Sequence, residues 1–473
     1  MKHTTTLHPK ALLIALMALF SPCLSITSDA QPATISLTAD EQAMVTGSNG
    51  FAFNLMRAAK LDCDLMLSPL SITYALGMLN NGATGLTQQE INQVLGFGTA
   101  GADGINAFCR KMLTEAGTLD KQTTSRISNA IFVNHGFGYS LQEPFAKTVA
   151  DYYNAMVSAR NFADGETMDV INKWASDQTD GMIPKVLDET MFDPTSVSYL
   201  LNAILFKGTW TEQFETKETR EEAFGSEGKM VQMMHREEIM TSAYADDDLC
   251  QRLCLPYGNG AYTMTILLPR EGKTIDDVLA ATDAKNWQVK GGDKKGPAEE
   301  YSVELFLPRF ETTVDIDLQP LLESLGMSAA FAPMTAEFPY FCDPVNGFFI
   351  SLIKQNAKIT VDEAGTKAAA VTTIGVKTTS LPKKATMRAD RPFLYVISEQ
   401  STGAIFFIGK YVGKEMTMSS PDLSGISSPT LPGQQACAPV YNLQGQRLSA
   451  PPANGLFIQG GKLTMRRQTP SRR

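Results

Sequence analysis

Residues 359–380, with the sequence ITVDEAGTKAAAVTTIGVKTTS, have a composition unusual for a surface loop. Small and β-branched side chains fill the stretch from Thr366 to Thr379, where turn-forming residues are few. Because successive side chains of a strand point to opposite faces, the stretch divides into two sets. The uncharged set is Thr366, Ala368, Ala370, Thr372, Ile374 and Val376, and the other set is Lys367, Ala369, Val371, Thr373, Gly375 and Lys377. This pattern suits a strand with one buried face.

Periodicity alone leaves three arrangements open for this segment. It is a strand of the resting fold, a flexible linker, or a loop that joins a sheet after a change of state. No proline lies between Gly365 and Ser380, and the glycine at position 365 permits backbone angles that other residues avoid. The segment is therefore free of residues that would keep it out of a sheet.

Hydrophobic periodicity predicts helices over residues 39–61 and 170–177, and a further helix that starts at Ser68-Pro69. Strands are predicted over 127–134, 198–205, 254–256, 261–268, 303–306, 348–353, 393–398 and 405–411. The turn signals Gly258-Asn259-Gly260 and Thr402-Gly403 connect two of the strand pairs. Helices early and strands late predict an α+β fold with largely antiparallel sheets.

The N-terminus has the composition of an export signal. Lys2 and Lys10 precede an apolar run over residues 11–20 that is too short to span a bilayer. A signal peptide over residues 1–25 is predicted, with a second cleavage point after Ala30. The alternative is a lipoprotein signal with Cys23 as the acylated residue, although Pro22 argues against it. Either signal predicts a protein that is secreted or held at the cell surface.

Composition argues against several classes of function. The net charge of −9 does not indicate a nucleic-acid partner. Beyond the signal, only His135 and His235 remain, and neither has the spacing of a hydrolase triad or a metal site. The seven cysteines contain no CxxC pair, so neither a zinc site nor a disulfide framework is indicated. We therefore expect no metal, no cofactor and no enzymatic activity.

Six short blocks occur in the order found in the serpin family, and residues 37–413 resemble that family, in particular its inhibitory bacterial members. The blocks are 67–72 with 80–83, 171–174 with 181–184, 202–210, 362–370, 391–393 and 403–409. The resemblance implies a metastable α+β serpin fold, in which helices pack on three largely antiparallel β-sheets and a reactive-centre loop is exposed.

The resemblance also implies a mechanism, the suicide-substrate inhibition of serine endopeptidases and possible action on cysteine endopeptidases. The cleaved loop would insert into the central sheet and trap the acyl-enzyme. The residues that resemble the family's hinge are Glu363, Gly365, Thr366, Ala368, Ala369 and Ala370. The family's spacing puts the reactive bond at Thr379–Ser380, which suits elastase-like or subtilisin-like proteases. The alternative bond Lys377–Thr378 suits a trypsin-like protease.

Supporting positions follow from the same resemblance. Glu363 is expected to pair with Arg309 where the loop enters the sheet, and Trp210 is expected to pack there. A polar cluster that controls sheet opening is expected to contain Ser68, Ser71, Asn202 and Gln355, with Gln355 where the family usually has histidine. A monomer is expected. The alternative function is a non-inhibitory serpin that acts as protease substrate, chaperone or ligand carrier.

The C-terminal region differs in composition from the rest of the chain. Residues 414–435 are rich in serine, proline and glycine and are predicted to be a linker. Residues 436–473 are predicted to be a β-rich tail, which resembles the sorting modules of type IX secretion. The alternative for this tail is a small accessory β-hairpin.

Overall fold

The structure is a computed structural model that describes residues 33–98, 100–289, 299–343, 347–366 and 381–416. It also describes the backbone of 440–441, 447–448, 455–459 and 462–466. The chain divides into two compact units, residues 1–423 and residues 424–473. The predicted signal peptide and most of the predicted linker lie outside the described residues.

The described part of the larger unit contains eight α-helices. They are α1 (Ala39–Ala58), α2 (Pro69–Asn80), α3 (Gly85–Leu95), α4 (Gly101–Ala116), α5 (Glu143–Tyr153), α6 (Glu166–Gln178), α7 (Ile275–Ala281) and α8 (Gln319–Ser324). The predicted starts of α1 and α2 are confirmed, because Thr38 caps α1 in a capping box with Glu41 and Ser68 caps α2 ahead of Pro69. The helix predicted over 170–177 is α6, which begins four residues earlier. Every residue of α2 is buried, so this helix lies inside the molecule.

The same unit contains eighteen described strands. They are β1 (Leu65–Leu67), β2 (Thr123–Asn134), β3 (Ser140–Leu141), β4 (Met156–Arg160), β5 (Ser198–Thr209), β6 (Arg220–Phe224), β7 (Lys229–Thr241), β8 (Tyr244–Asp246), β9 (Cys250–Tyr257), β10 (Tyr262–Pro269), β11 (Tyr301–Pro308), β12 (Phe310–Asp317), β13 (Cys342–Asp343), β14 (Leu352–Val361), β15 (Gly365–Thr366), β16 (Lys383–Arg388), β17 (Phe393–Glu399) and β18 (Ile405–Tyr411). The predicted hairpin of β9 and β10 is confirmed, with Gly258 and Gly260 at positive φ in its turn.

The strands form three main sheets and a short ribbon of β3 with β13. The central sheet has the order β12-β14-β5-β2-β4, with β15 also paired to β5. The second sheet has the order β1-β18-β17-β10-β9-β8, and the third has the order β16-β11-β7-β6. Most strand pairs are antiparallel, and three described pairs are parallel: β14 with β5, β2 with β4, and β11 with β16. The central and third sheets are therefore mixed, whereas the described strand pairs of the second sheet are all antiparallel.

The strand predicted over residues 348–353 begins later and extends further, as β14. Phe348 and Ile350 are buried outside any strand, and Phe348 packs against Phe341 with ring centroids 4.5 Å apart. The strand itself carries three consecutive buried polar side chains, Lys354, Gln355 and Asn356. Apolar periodicity does not reveal such a strand, because its buried residues are polar and depend on partners from other elements.

One boundary of the central sheet positions the candidate site. β14 and β5 pair in parallel from Leu352–Tyr199 to Lys358–Leu205, and we call this pairing the seam. Helix α6 covers one face of the central sheet, where Trp174 and Ile171 pack with Leu201 in an apolar cluster. Beyond the seam β5 continues to Thr209, and β15 instead of β14 pairs with that last part.

The smaller unit contains a four-stranded antiparallel sheet in the order β20-β19-β21-β22. Its strands are β19 (Val440–Tyr441), β20 (Arg447–Leu448), β21 (Gly455–Gln459) and β22 (Lys462–Arg466). Among the helices that the structure describes, none has the length and hydropathy needed to cross a bilayer.

Candidate functional site: the hinge and the sheet seam

A tight turn over residues 362–365 reverses the chain at the end of β14. The backbone N–H of Asp362 donates to the carbonyl of Gly365 at 2.9 Å, and the carboxylate of Asp362 accepts from the N–H of Ala364 at 3.0 Å. After the turn, Gly365 pairs with Thr209 of β5. The other side of β5 is occupied by β2, so β15 begins a new strand on the side of β5 that faces β14.

Gly365 occupies a position that excludes side chains. Its φ of 129° lies in a region that favours glycine. A Cβ atom at this position would lie 2.3 Å from the carbonyl oxygen of Gly208 and 2.6 Å from the backbone nitrogen of Trp210. Glycine is therefore required both by the backbone angle and by the close approach of β5.

Glu363 anchors the turn through its side chain. The guanidinium Nη2 of Arg309 and the hydroxyl of Thr219 each donate to Glu363 Oε1 at 2.5 Å. Glu363 is only 7% exposed. Burial by itself would raise the pKa of Glu363, but the hydrogen bonds from Arg309 and Thr219 hold this pKa below its ordinary value. No pattern in the sequence marks Thr219, since an isolated threonine between two charged residues carries no signal.

Trp210 holds the turn from the end of β5. Its indole Nε1 donates to the carbonyl of Asp362 at 2.9 Å, and its backbone N–H donates to the carbonyl of Ala364 at 3.0 Å. The indole is 2% exposed and stacks on Tyr257, with ring centroids 4.3 Å apart. We call Glu363, Arg309, Thr219 and Trp210 the hinge cluster.

A second polar cluster crosses the seam halfway along it. Asn129 of β2, Asn202 of β5 and Gln355 of β14 are in register with one another across three adjacent strands. The side-chain amide of Asn202 donates to Asn129 Oδ1 at 2.8 Å and to the hydroxyl of Ser71 in α2. We call Ser68, Ser71, Asn129, Asn202 and Gln355 the seam cluster.

Gln355 joins β14 to the start of α2. Its Oε1 accepts from the backbone N–H of Ser68 at 3.1 Å, and its Nε2 donates to the carbonyl of Ser68 at 3.3 Å. Glutamine makes both bonds because its amide is donor and acceptor at once. The cluster therefore contains no side chain that titrates near neutral pH.

Asn129 is a member of the seam cluster that was not among the expected residues. It lies in the predicted strand 127–134, where a polar residue interrupts an apolar run and is 1% exposed. A buried asparagine in the middle of a strand is a signal for a partner in a neighbouring strand, because an unpaired buried amide is costly. Its partner, Asn202, is 73 residues away in the sequence.

The hinge cluster and the seam cluster are separate places on one strand. Gln355 and Glu363 are eight residues apart on β14 and the turn that follows it, or about 26 Å of extended chain. The expected residues Arg309, Trp210 and Glu363 come together at one end of the seam, and Ser68, Ser71, Asn202 and Gln355 come together midway. Thr366 is described by its backbone only. The remaining expected residues lie outside the described residues: Ala368, Ala369, Ala370, Lys377, Thr378, Thr379 and Ser380.

The cysteines of the described region do not form a redox or metal site. Cys250 and Cys254 are four residues apart on the extended strand β9, and both are free thiols. Burial raises the pKa of Cys250 to about 11 and that of Cys342 to about 12. Within the described residues, no group of three or more His, Cys, Asp or Glu side chains has an arrangement suited to a metal ion.

Comparisons with known proteins agree on one family. Residues 46–413 match the family model Serpin (serine protease inhibitor). Human Serpin B8 is 32% identical over 352 residues, which covers 74% of this chain and 92% of that protein. Human neuroserpin is 28% identical over 381 residues, which covers 78% and 90%.

Solved structures give the same result. The thermophilic serpin tengpin in its native state matches with a TM-score of 0.69 and 26% identity, covering 81% of this chain and all of tengpin. Human thyroxine-binding globulin in complex with thyroxine matches with a TM-score of 0.69 and 27% identity, covering 80% of this chain and all of that protein. With the fold, the hinge and the family match in agreement, this chain belongs to the serpin family.

Proposed function

We propose that this protein is a secreted suicide-substrate inhibitor of serine endopeptidases, with cysteine endopeptidases as a further target class. The observation that carries the proposal is the position of β15. Gly365 and Thr366 pair with the end of β5, on the side of that strand that faces β14. The chain that enters the loop thus has the direction and register of a strand that extends along β5.

The proposed reaction begins as ordinary proteolysis. The hydroxyl of the protease serine attacks the carbonyl carbon of the scissile bond and forms an acyl-enzyme, while the peptide on the other side leaves with its new amino group. Inhibition requires that the loop extend β15 between β5 and β14 before water hydrolyses the ester. The fifteen residues from Gly365 to Thr379 span on the order of 50 Å as a strand, so the attached protease would move by that distance.

Insertion is favourable because the backbone groups of the loop exchange hydrogen bonds to water for hydrogen bonds to two neighbouring strands. Each new backbone hydrogen bond contributes about 1 kcal/mol after the loss of bonds to water. The small side chains of Ala368, Ala369 and Ala370 require little space between strands. We therefore expect cleaved protein to unfold at a distinctly higher temperature than intact protein.

The reactive bond is proposed to be Thr379–Ser380, with Lys377–Thr378 as the alternative. The first bond suits elastase-like and subtilisin-like proteases with small binding pockets, and the second suits trypsin-like proteases. Mass spectrometry of the C-terminal fragment released by each protease distinguishes the two bonds, since their fragments differ by two residues.

The central experiment is incubation with elastase, subtilisin and trypsin followed by denaturing gel electrophoresis. An SDS-stable complex is the expected product. The variant T366R should be cleaved without forming the complex, because a charged side chain would have to enter the sheet first. The matched control K367R keeps a positive charge at position 367, on the opposite face of the strand from Thr366, and should still form the complex. Complete cleavage of the unaltered protein without any complex or gain in thermal stability would overturn the proposal.

A second candidate function is a non-inhibitory ligand carrier. It is favoured by the match to human thyroxine-binding globulin, whose structure was determined with thyroxine. A carrier would be cut in the loop without retaining the protease. The same gel therefore separates the two candidates.

Export is proposed through residues 1–25, and residues 436–473 are proposed to act as a sorting module in a bacterial type IX system. N-terminal sequencing of the extracellular protein should begin at residue 26 or at residue 31. Incorporation of labelled fatty acid that is lost in C23S would instead indicate the lipoprotein alternative. Deletion of residues 436–473 should leave the protein inside the cell envelope. We expect the secreted protein to elute as a monomer.

A further inference from the structure

Lys354 is a cationic side chain buried in the middle of β14, with 4% of its surface exposed. A buried ammonium group is costly unless all three of its N–H donors have partners. Lys354 lies next to Gln355 in the strand. The side chains of neighbouring strand residues point to opposite faces of the sheet, so Lys354 and Gln355 face opposite sides. Gln355 faces α2, so Lys354 faces α6.

The ammonium group of Lys354 has three partners. It lies 2.6 Å from Asp315 Oδ1 on the neighbouring strand β12. It also donates to the carbonyl of Val186 at 2.8 Å and contacts the Sδ of Met191 at 2.9 Å. Val186 and Met191 lie on the connection between α6 and β5. Two of the three contacts therefore cross the seam, from β14 to the α6–β5 side.

The connection that receives Lys354 is fixed to α6 and to β5. The side chain of Asn172 in α6 accepts from the N–H groups of Val186 and Leu187, at 2.8 and 2.9 Å, and donates to the carbonyl of Leu187. The hydroxyl of Tyr199 in β5 donates to the carbonyl of Asp193 at 3.0 Å. The connection therefore moves with the β5 side of the seam.

We infer that Lys354 is a positioning residue that ties β14 to the α6–β5 side of the seam and slows the opening of the seam. The tie acts on the face of the sheet that α6 covers. On the opposite face, the neighbouring residue Gln355 joins β14 to α2. Its consequence for inhibition rests on the proposed function, because an inserting loop must separate β14 from β5. Loss of the tie should let the seam open more often.

The chain offers a matched control on the same strand. The Nζ of Lys358 lies 2.7 Å from Glu311 Oε1 on β12. Lys358 also belongs to the last register pair of the seam. Both residues of this ion pair lie on the β12–β14 side, so it does not cross the seam. K354M and K358M each replace a lysine of β14 by an apolar side chain of similar length, and only K354M removes contacts across the seam.

The experiment measures hydrogen exchange of the backbone amides of β5 and β14 in the full chain. K354M should increase exchange in the seam about ten-fold, because hydrogen bonds from charged donors contribute at least that factor. K358M should stay within about two-fold of the unaltered protein. M191L removes only one of the seam-crossing contacts and leaves the ion pair with Asp315 in place, so a smaller increase in the same amides is expected.

A synthetic peptide with the sequence of residues 366–379 provides the second measurement. Its rate of incorporation, followed by native gel shift, should rise in K354M and not in K358M. Unchanged seam exchange in both K354M and M191L, or an equal increase in K358M, overturns the tie even if melting temperatures change. Faster exchange in K354M without peptide incorporation in any variant leaves the tie standing and overturns loop insertion instead.

Discussion

The guanidinium of Arg309 and the carboxylate of Glu363 meet with 2.5 Å between Nη2 and Oε1. Arg309 lies between β11 and β12, and its backbone N–H donates to the carbonyl of Gln232 in β7. The ion pair therefore connects the turn after β14 to the third sheet. Since Glu363 is the last side chain anchored before the chain enters β15, this contact holds the start of the loop in place.

Replacing Glu363 by alanine should lower the free energy of unfolding by about 2 kcal/mol, because a buried carboxylate that accepts two hydrogen bonds is lost. Urea unfolding followed by tryptophan fluorescence measures this change. The control is E218A, which removes the exposed ion pair between Glu218 and Arg220 and should cost no more than ~0.5 kcal/mol. Equal effects of the two substitutions would contradict an anchoring role for Glu363.

The anchor should also make stability depend on pH. The pKa of Glu363 is lower in the folded protein than its ordinary value of 4.5, so at moderately acidic pH the unfolded chain binds more protons than the folded chain. The stabilisation is fully present above pH 4.5 and is lost as the pH falls through the lowered folded value. The difference in melting temperature between the unaltered protein and E363Q should shrink below pH 4.5. A constant difference down to pH 3 would rule out this titration.

Substitution of Gly365 by alanine should prevent β15 from forming. The added methyl group would overlap the carbonyl oxygen of Gly208, and the φ of 129° is strained for alanine. On the proposed function, G365A should be cleaved by elastase at a normal rate but yield much less SDS-stable complex. A364G adds no atom at the neighbouring position and serves as the control. Full complex formation by G365A would show that pairing with β5 at this point is dispensable.

Gln355 should matter through its bonds to Ser68. Q355L leaves the buried backbone N–H of Ser68 without its acceptor and should lower the free energy of unfolding by about 2 kcal/mol. Q355H should introduce a pH dependence that the unaltered protein lacks at this position. Burial favours neutral imidazole and so lowers the pKa of the introduced histidine in the folded protein. As the pH falls, the unfolded chain binds the proton before the folded chain does, so Q355H should lose stability below about pH 6.5. Melting curves between pH 5.5 and 8 test both variants.

The buried thiols should react only on unfolding. With the pKa of Cys250 raised to about 11, its thiolate fraction at pH 8 is on the order of 0.1%. Iodoacetamide labelling followed by peptide mass spectrometry should leave Cys250 and Cys342 unmodified in the native protein. Labelling in 6 M guanidinium chloride should modify both. Rapid labelling of Cys250 under native conditions would contradict its burial.

Prediction from the sequence succeeded where the signal is local. The capping residues Thr38 and Ser68 mark the starts of α1 and α2, and the Gly258–Gly260 turn marks a hairpin. It failed at β14, where the apolar run around Phe348 indicated a strand that begins four residues later. Phe348 packs among aromatic rings, whereas the true strand buries Lys354 and Gln355 against partners that include Val186 and Ser68, each more than 150 residues away.

By itself, the sequence determined the family, the need for glycine and small residues after Glu363, and the helices and turns whose capping and turn residues are adjacent in the chain. Only the tertiary structure decided that Thr219 joins Arg309 at Glu363, that Asn129 continues the row of Gln355 and Asn202, and that Lys354 reaches the connection after α6. The physical reason is that burial of a polar group costs free energy that a partner offsets. Such partners come from strands and connections distant in the sequence, where no local pattern records the pairing.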